Sequence, residues 1–153
     1  MGKTISYSRT ILSEVMLINK ANPAGNIHGG EIMKLMDSAA GAVAKRHSRS
    51  NVVTTRVNEL EFKIPIHVGD LVICTAELVF VGKSSMEILV VVEVEDLQVE
   101  DSKRIALTGY FTMVAIDRNG RPVKVPQVIF ESPEEEERFR EREKIYLELK
   151  NKK

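Results

Sequence analysis

β-Branched and apolar side chains predominate over residues 7–18, and this predicts a first strand. Pro23 and Gly25 then break regular structure within Asn22-Pro23-Ala24-Gly25-Asn26, a loop in which asparagine tolerates unusual backbone angles. From Gly29-Gly30 to about Arg46 the residues favour helix, with Glu31, Met33, Lys34, Leu35, Met36 and several alanines. Its polar stripe is narrow, made of Glu31, Lys34, Ser38 and Lys45 at helical spacings. A helix so apolar is expected to be buried on most sides.

Four strands follow. Residues 52–64 alternate, but their apolar phase slips between Val57 and Leu60, which predicts a bulge. Residues 65–70 make a turn, 71–81 the next strand, and Gly82-Lys83-Ser84 closes a hairpin. Met86, Ile88, Val90, Val92 and Val94 line one face of a third strand with period two. The fourth, 104–116, ends in a turn closed by Asn119-Gly120. Residues 123–130 cross to a terminal helix of about 133–150, with Ser132 as N-cap, Pro133 in the first helical position and Glu135 completing a capping box. Glu134–Arg138 and Glu136–Arg140 are i,i+4 pairs of a solvated face, while Phe139, Tyr146 and Leu149 are set to dock the other face.

One apolar helix between the first and second of five antiparallel strands predicts an α+β architecture. In it a curved antiparallel sheet wraps around one central helix, the hotdog arrangement, with a charged C-terminal helix outside. Residues 1–153 are expected to form a single domain of this kind. Two such sheets side by side would leave the helix little surface for water.

Composition narrows the function. A chain of 153 residues, 43% hydrophobic, suits one domain with a real core. Its 22 Lys+Arg balance 22 Asp+Glu, which gives no electrostatic argument for nucleic acid or an anionic membrane but leaves room for a local phosphate pocket. Cys74 is the single cysteine and sits in an apolar run, so it reads as core filler in a reducing, cytoplasmic setting. No run approaches the ~18 continuous apolar residues of a membrane span, and the amino terminus lacks the layout of a secretory signal. The match of Gly2 and Ser6 to a myristoylation pattern is too short to inform. Three isolated histidines and one cysteine offer no metal-ligand spacing, and neither a nucleophile elbow nor a phosphate loop is present.

Three features can carry chemistry. Asp37 lies roughly 60–100° from the helix's polar stripe, among Met33, Ala40, Gly41 and Ala44. An unpaired carboxylate buried there is costly, so Asp37 is either a hydrogen-bonded interface residue or a functional acid. His28-Gly29-Gly30 begins the helix, where free N–H groups can polarise a carbonyl oxygen that gains charge during acyl transfer. His28 reads as a supporting residue rather than a base. Asn22 and Asn26, in the preceding loop, either hold the turn or orient a water or an oxyanion.

The run Asn22-Pro23-Ala24-Gly25-Asn26-Ile27-His28-Gly29-Gly30 through Asp37 resembles the signature of hotdog acyl-CoA hydrolases, close to the cytosolic brain-type enzyme and its bacterial relatives. The likeness extends to Pro65, Gly69-Asp70, Lys83-Ser84-Ser85-Met86-Glu87 and Val125-Pro126-Gln127. The tandem brain-type enzyme divides its catalytic Asn and Asp between two repeats; this chain is similar to one repeat at Asn22 and to the other at Asp37. The resemblance implies hydrolysis of fatty acyl-CoA to a fatty acid and CoA. Asp37 would act as general base or nucleophile, Gly29 and Gly30 would polarise the carbonyl, Asn22 would orient it or the water, and His28 would support them. It further implies a homodimer, assembled as three dimers, with no cofactor beyond the substrate's own CoA. Arg56, Lys83, Ser84 and Ser85 are the candidates for CoA binding. A hydroxyacyl-thioester dehydratase, needing His28 as base, and a non-catalytic acyl-CoA-binding module are the competing readings.

Overall fold

Alternation of apolar and polar residues along four long segments builds the sheet seen in the computed structural model, which describes residues 2–151. In chain order lie β1 (Lys3–Thr4), α1 (Ile5–Ser8), β2 (Thr10–Val15), α2 (Gly29–Ser48), β3 (Asn51–Phe62), β4 (Leu71–Val81), β5 (Ser85–Glu95), β6 (Arg104–Ile116), β7 (Val128–Ile129) and α3 (Pro133–Asn151). The main sheet is antiparallel throughout, ordered β2-β4-β5-β6-β3, so β2 and β3 are its edges. β1 and β7 form a separate two-residue parallel ladder.

α2 packs on one face of this sheet. Ile32, Met36, Ala39, Ala40, Val43 and Ala44 recur at spacings of three and four and are buried, as are Cys74, Ala76 and Leu78 of β4 and Met86, Ile88, Val90 and Val92 of β5. Each fully buried Met, Val, Leu or Ile contributes about 1.5–3 kcal/mol, and the alanines let the helix axis approach the strands closely. This is the α+β hotdog arrangement expected from the sequence. Cys74 belongs to this core, and burial pushes its thiol up to about 12.

The first strand is shorter than expected. Thr4 Oγ1 accepts from the Tyr7 N–H at 3.2 Å and starts the helical turn α1, while the Arg46 guanidinium on α2 gathers the carbonyls of Tyr7 and Arg9 at 2.9 and 2.7 Å. These bonds hold residues 5–9 away from the ladder, and a 3-10 turn over Ile18–Lys20 ends the segment. α2 runs slightly longer than expected and stops at Arg49, whose left-handed backbone (φ 54°) sends its N–H to the Lys45 carbonyl. The phase slip between Val57 and Leu60 is a register shift between Asn58 and Glu61; a second shift, between Thr54 and Arg56, carried no signal in the pattern.

α3 closes the opposite face of the sheet. Phe139 packs against Phe80 and Phe130 with ring centroids 5.0 and 5.2 Å apart, and Tyr146 against Phe80. Ser132 caps the Glu135 N–H, but the Glu135 carboxylate accepts from Glu131 rather than from Ser132. Glu136 pairs with Arg140 as expected; Arg138 instead reaches Glu77 on β4, a longer-range partner invisible to helical spacing. Arg142 is buried, pairs with Glu87 of β5 at 2.5 Å and Glu59 at 2.8 Å, and lies 3.6 Å above the Tyr110 ring. Glu59 is the residue with positive φ (51°) in the bulge, so the distortion of β3 aims a carboxylate at the terminal helix.

Two predictions follow from buried polar groups. Arg142→Leu strands Glu87 without its cation and should destabilise the fold by about 3–5 kcal/mol, whereas the double variant Arg142→Leu/Glu87→Leu should recover much of that loss, both read from denaturant midpoints. His47, fully buried at the end of α2, donates from Nε2 to the Pro126 carbonyl at 2.8 Å, and its Nδ1 has no hydrogen-bond partner among the described residues. A second proton on Nδ1 would be buried and unpaired beside Lys3, so burial first, then the Lys3 charge, hold His47 below the usual histidine range. The unfolded chain therefore takes up that proton more readily. Stability should hold above the unfolded value of about 6.5 and decline as pH falls below it, and His47→Gln should flatten the decline between pH 7.5 and 5.5.

Candidate active site

The sequence predicts a site built from α2 and the loop before it, and the structure distributes those residues between two clefts of the single chain. Asp37 stands on the face of α2 turned away from the core. It is exposed rather than buried as its apolar neighbours suggested, because Lys34, Asp37 and Ser38 form one solvent-facing strip while Met36, Ala39 and Ala40 take the sheet side. Thr54 of β3 donates from Oγ1 to Asp37 Oδ1 at 2.7 Å, which fixes the carboxylate and leaves Oδ2 free of any protein donor among the described residues. With Ser38, Gly41, Lys45 and Met113 these two line a cleft of about 470 Å³ between α2 and the edge of the sheet.

The second cleft, about 260 Å³, lies at the other end of the helix and holds Asn22 and Gly29 over an apolar floor that includes Ile32, Phe62, Ile66 and Leu107. Asn22 Oδ1 accepts the N–H groups of Ala24 and Asn26 at 3.0 and 3.1 Å, and its backbone pairs with the Asn26 carbonyl at 2.7 Å. The side chain therefore does hold the turn. Since its oxygen is committed, only the Nδ2 donors remain for a ligand.

Gly29 and Gly30 open α2, and among the described residues neither N–H meets a backbone or side-chain acceptor. Neither glycine has positive φ, and a Cβ built at Gly30 would meet nothing within 4 Å, at Gly29 only Phe62 at 3.4 Å. The chain's own packing thus does not require glycine here; what the pair preserves is open approach to two free N–H groups. His28 is the N-cap residue, exposed, with no side-chain cap bond, and lines neither cleft.

The four candidates for CoA binding are not gathered at either cleft. Lys83 and Ser84 sit on the β4–β5 hairpin. Arg56 and Ser85 line a cleft under the end of α3 with Glu87, Thr112, Tyr146 and Lys150, on the sheet face away from α2. Leu149 also lines that cleft, consistent with the docking role expected of it. Among the described residues no three His, Cys, Asp or Glu side chains converge where a metal ion could be held. Thr54 escaped the sequence reading because a threonine in a strand is unremarkable; only its placement opposite Asp37 singles it out.

A family model described as "Thioesterase superfamily" matches residues 24–100. The cytosolic acyl coenzyme A thioester hydrolase of Rattus norvegicus is 36% identical over 150 residues, 97% of this chain and 39% of that protein, so the chain spans about two fifths of that relative's length. The structure of an apo-hexameric acyl-CoA thioesterase superposes with a TM-score of 0.91 at 29% identity, covering 99% of this chain and 97% of the other. The acyl-CoA hydrolase of Staphylococcus aureus, solved in complex with butyryl coenzyme A, coenzyme A and coenzyme A disulfide, gives 0.83 at 28% identity and covers 99% and 96%. That hydrolase has also been solved with an asparagine, an aspartate or a threonine replaced by alanine. The intervals between its three mutated positions, fifteen and seventeen residues, equal those from Asn22 to Asp37 and from Asp37 to Thr54. The match across the shared helix, the common fold and the identical spacing of three polar residues lead to one assignment: the chain belongs to the thioesterase superfamily.

Proposed function

We propose that this chain hydrolyses acyl-CoA thioesters to a carboxylic acid and free CoA, at sites shared between two copies of itself. The observation that carries the reading is the division of complementary groups between two clefts: a positioned carboxylate in one, Asn22 and the free Gly29 N–H in the other. Asp37 Oδ2 takes a proton from water as the water attacks the thioester carbon, and Thr54 holds the carboxylate in register. The carbonyl oxygen, gaining charge, is met by the Gly29 and Gly30 N–H groups and by Asn22 Nδ2. The tetrahedral intermediate then collapses and expels the CoA thiolate, which takes up a proton. No cofactor is needed for these steps, and a cytoplasmic setting accords with the cytosolic name of the rat relative. Among the described residues no helix is long and apolar enough to cross a membrane.

The need for two copies follows from distance. Gly30 and Asp37 lie seven residues apart on one rigid helix, about 10 Å along its axis. A base and an oxyanion donor must each come within about 3 Å of one thioester. β3, a twelve-residue strand, is an unpaired edge with Val53 and Phe62 exposed, and its Val52 and Thr54 border the Asp37 cleft. Two such edges joined about a two-fold axis would run the α2 helices antiparallel, setting each Asp37 against the partner's glycine turn. The hexameric relative supports assembly of such dimers into a larger oligomer.

Thiol release from a panel of acyl-CoAs of graded length tests the activity, and no release from any of them would sink it. Asp37→Ala and Asp37→Asn should each lower kcat by about 10²-fold or more with CoA binding retained; near-normal turnover by the Asn variant would exclude Asp37 as the base. His28→Ala should cost far less, and an equal loss would favour the dehydratase reading. Asn22→Ala and Asp37→Ala proteins, each inactive alone, should regain about a quarter of wild-type activity after random subunit exchange, since each mixed dimer keeps one intact site. Continued inactivity after exchange is verified by mass, or full activity in a stable monomer, would make the site intrasubunit.

A further inference from the structure

β3 sends residues into both clefts, Thr54 to the one beside Asp37 and Phe62 to the one that holds Asn22 and Gly29. Phe62 lies over the start of α2, where a Cβ built on Gly29 would meet its ring atoms at 3.4 and 3.6 Å. We propose that Arg142 of the terminal helix is a positioning residue for the hydrolysis: through Glu59 it holds the bulge that turns Phe62 onto the Gly29 donor. The inference rests on the thioesterase reading and adds to it a residue on the far face of the sheet.

Strand parity is the first argument. Val57 stands opposite Phe111 and Phe62 opposite Leu107, and both partners are buried core residues. Regular alternation from Val57 would give that face to Glu59 and Glu61. The register shift between Asn58 and Glu61 gives it to Leu60 and Phe62 instead, and Leu60 packs on the core. Without the shift, Glu61 would take the place of Phe62. Its carboxylate would then oppose a developing oxyanion at the start of α2, where the reaction needs donors.

The second argument is that the shift is held from outside β3. Glu59 has φ 51°, a left-handed conformation disfavoured for any residue with a Cβ. Among the described residues its carboxylate has one partner, the Arg142 guanidinium at 2.8 Å. That guanidinium is itself fixed, by Glu87 at 2.5 Å and by the Tyr110 ring, whose centroid lies 3.6 Å away. Tyr110 stands opposite Asn58, the last residue in register before the shift. Arg142 therefore clamps the strand at the step where alternation fails. Phe62 is 59% exposed, so little packing holds its ring apart from the register of β3. Over Gly29 that ring keeps water from one side of the donor, and an N–H in a drier setting acts more strongly on developing charge.

The test uses the double variant Arg142→Leu/Glu87→Leu, which strands no buried charge but leaves the bulge without its clamp. Its kcat should fall about tenfold with KM changed less than about twofold, because the loss is felt in the transition state. Phe62→Ala should lower kcat by a similar factor. Adding it to the double variant should cost little more, since both changes act through one ring. Wild-type kcat in the double variant, or losses that multiply on combination, overturns the proposal. Glu59→Gly placed in the double variant supplies a left-handed backbone without an ion pair. It should return kcat to within about threefold of wild type, and a failure to do so also overturns the proposal. A crystal structure of the double variant reads the register without turnover: Phe62 withdrawn from Gly29 is expected, and an unmoved ring overturns the proposal. Absence of thiol release from wild type would sink the thioesterase reading, while that structure would still decide whether Arg142 sets the register of β3.

Discussion

Ala39, Ala40, Val43 and Ala44 are wholly without solvent exposure, and this close seating of α2 on the sheet is what the rest of the molecule depends on. Small side chains bring the helix backbone near the strands, so neither the roll nor the tilt of α2 can change without opening voids in a core that tolerates few. The helix is thereby a rigid ruler. Everything polar that it carries, from the free N–H groups at its start to the cations at its end, is held at intervals set by the helical rise.

A ruler of that kind cannot fold back on itself, and the arrangement of clefts reflects it. The carboxylate and the free N–H donors occur at different ends, each with part of its own support: Thr54 for Asp37, the Asx-type turn of Asn22 for the loop. The long bare edge of β3 lies beside one of them. Under the proposed reaction a chain with these features would hold half of two sites rather than the whole of one, the economical outcome when one surface serves as interface and as active site.

Much of this was legible in the residues. The strands read at 71–81 and 104–116 match β4 and β6 to the residue, and period-two alternation marked β5, because strands buried on one face cannot shift register without exposing their apolar set. The bulge near Val57 and Leu60 was legible for the same reason. Contacts distant in sequence were not: Arg46 drawing the Tyr7 and Arg9 carbonyls out of the ladder shortened the first strand, and Arg138 left its helical neighbour for Glu77. At the site, Asp37 stood out as a carboxylate misplaced on an apolar helix, yet the single chain leaves it in water. The pattern registered a surface that the chain alone does not cover. Thr54 gave no local sign, since its significance comes wholly from what stands opposite it in space.

Cys74 has a consequence of a different kind. Its thiol is packed between sheet and helix, and burial keeps it protonated throughout the physiological range. Under the proposed reaction every turnover releases a free thiol, and in an oxidising episode the product pool would contain CoA in disulfide form. Exchange with such disulfides requires an accessible thiolate. This chain offers none, so its own product cannot become a covalent cap on it. Redox drift in the surrounding thiol pool would alter what the enzyme makes available to others while leaving the enzyme itself chemically unmarked.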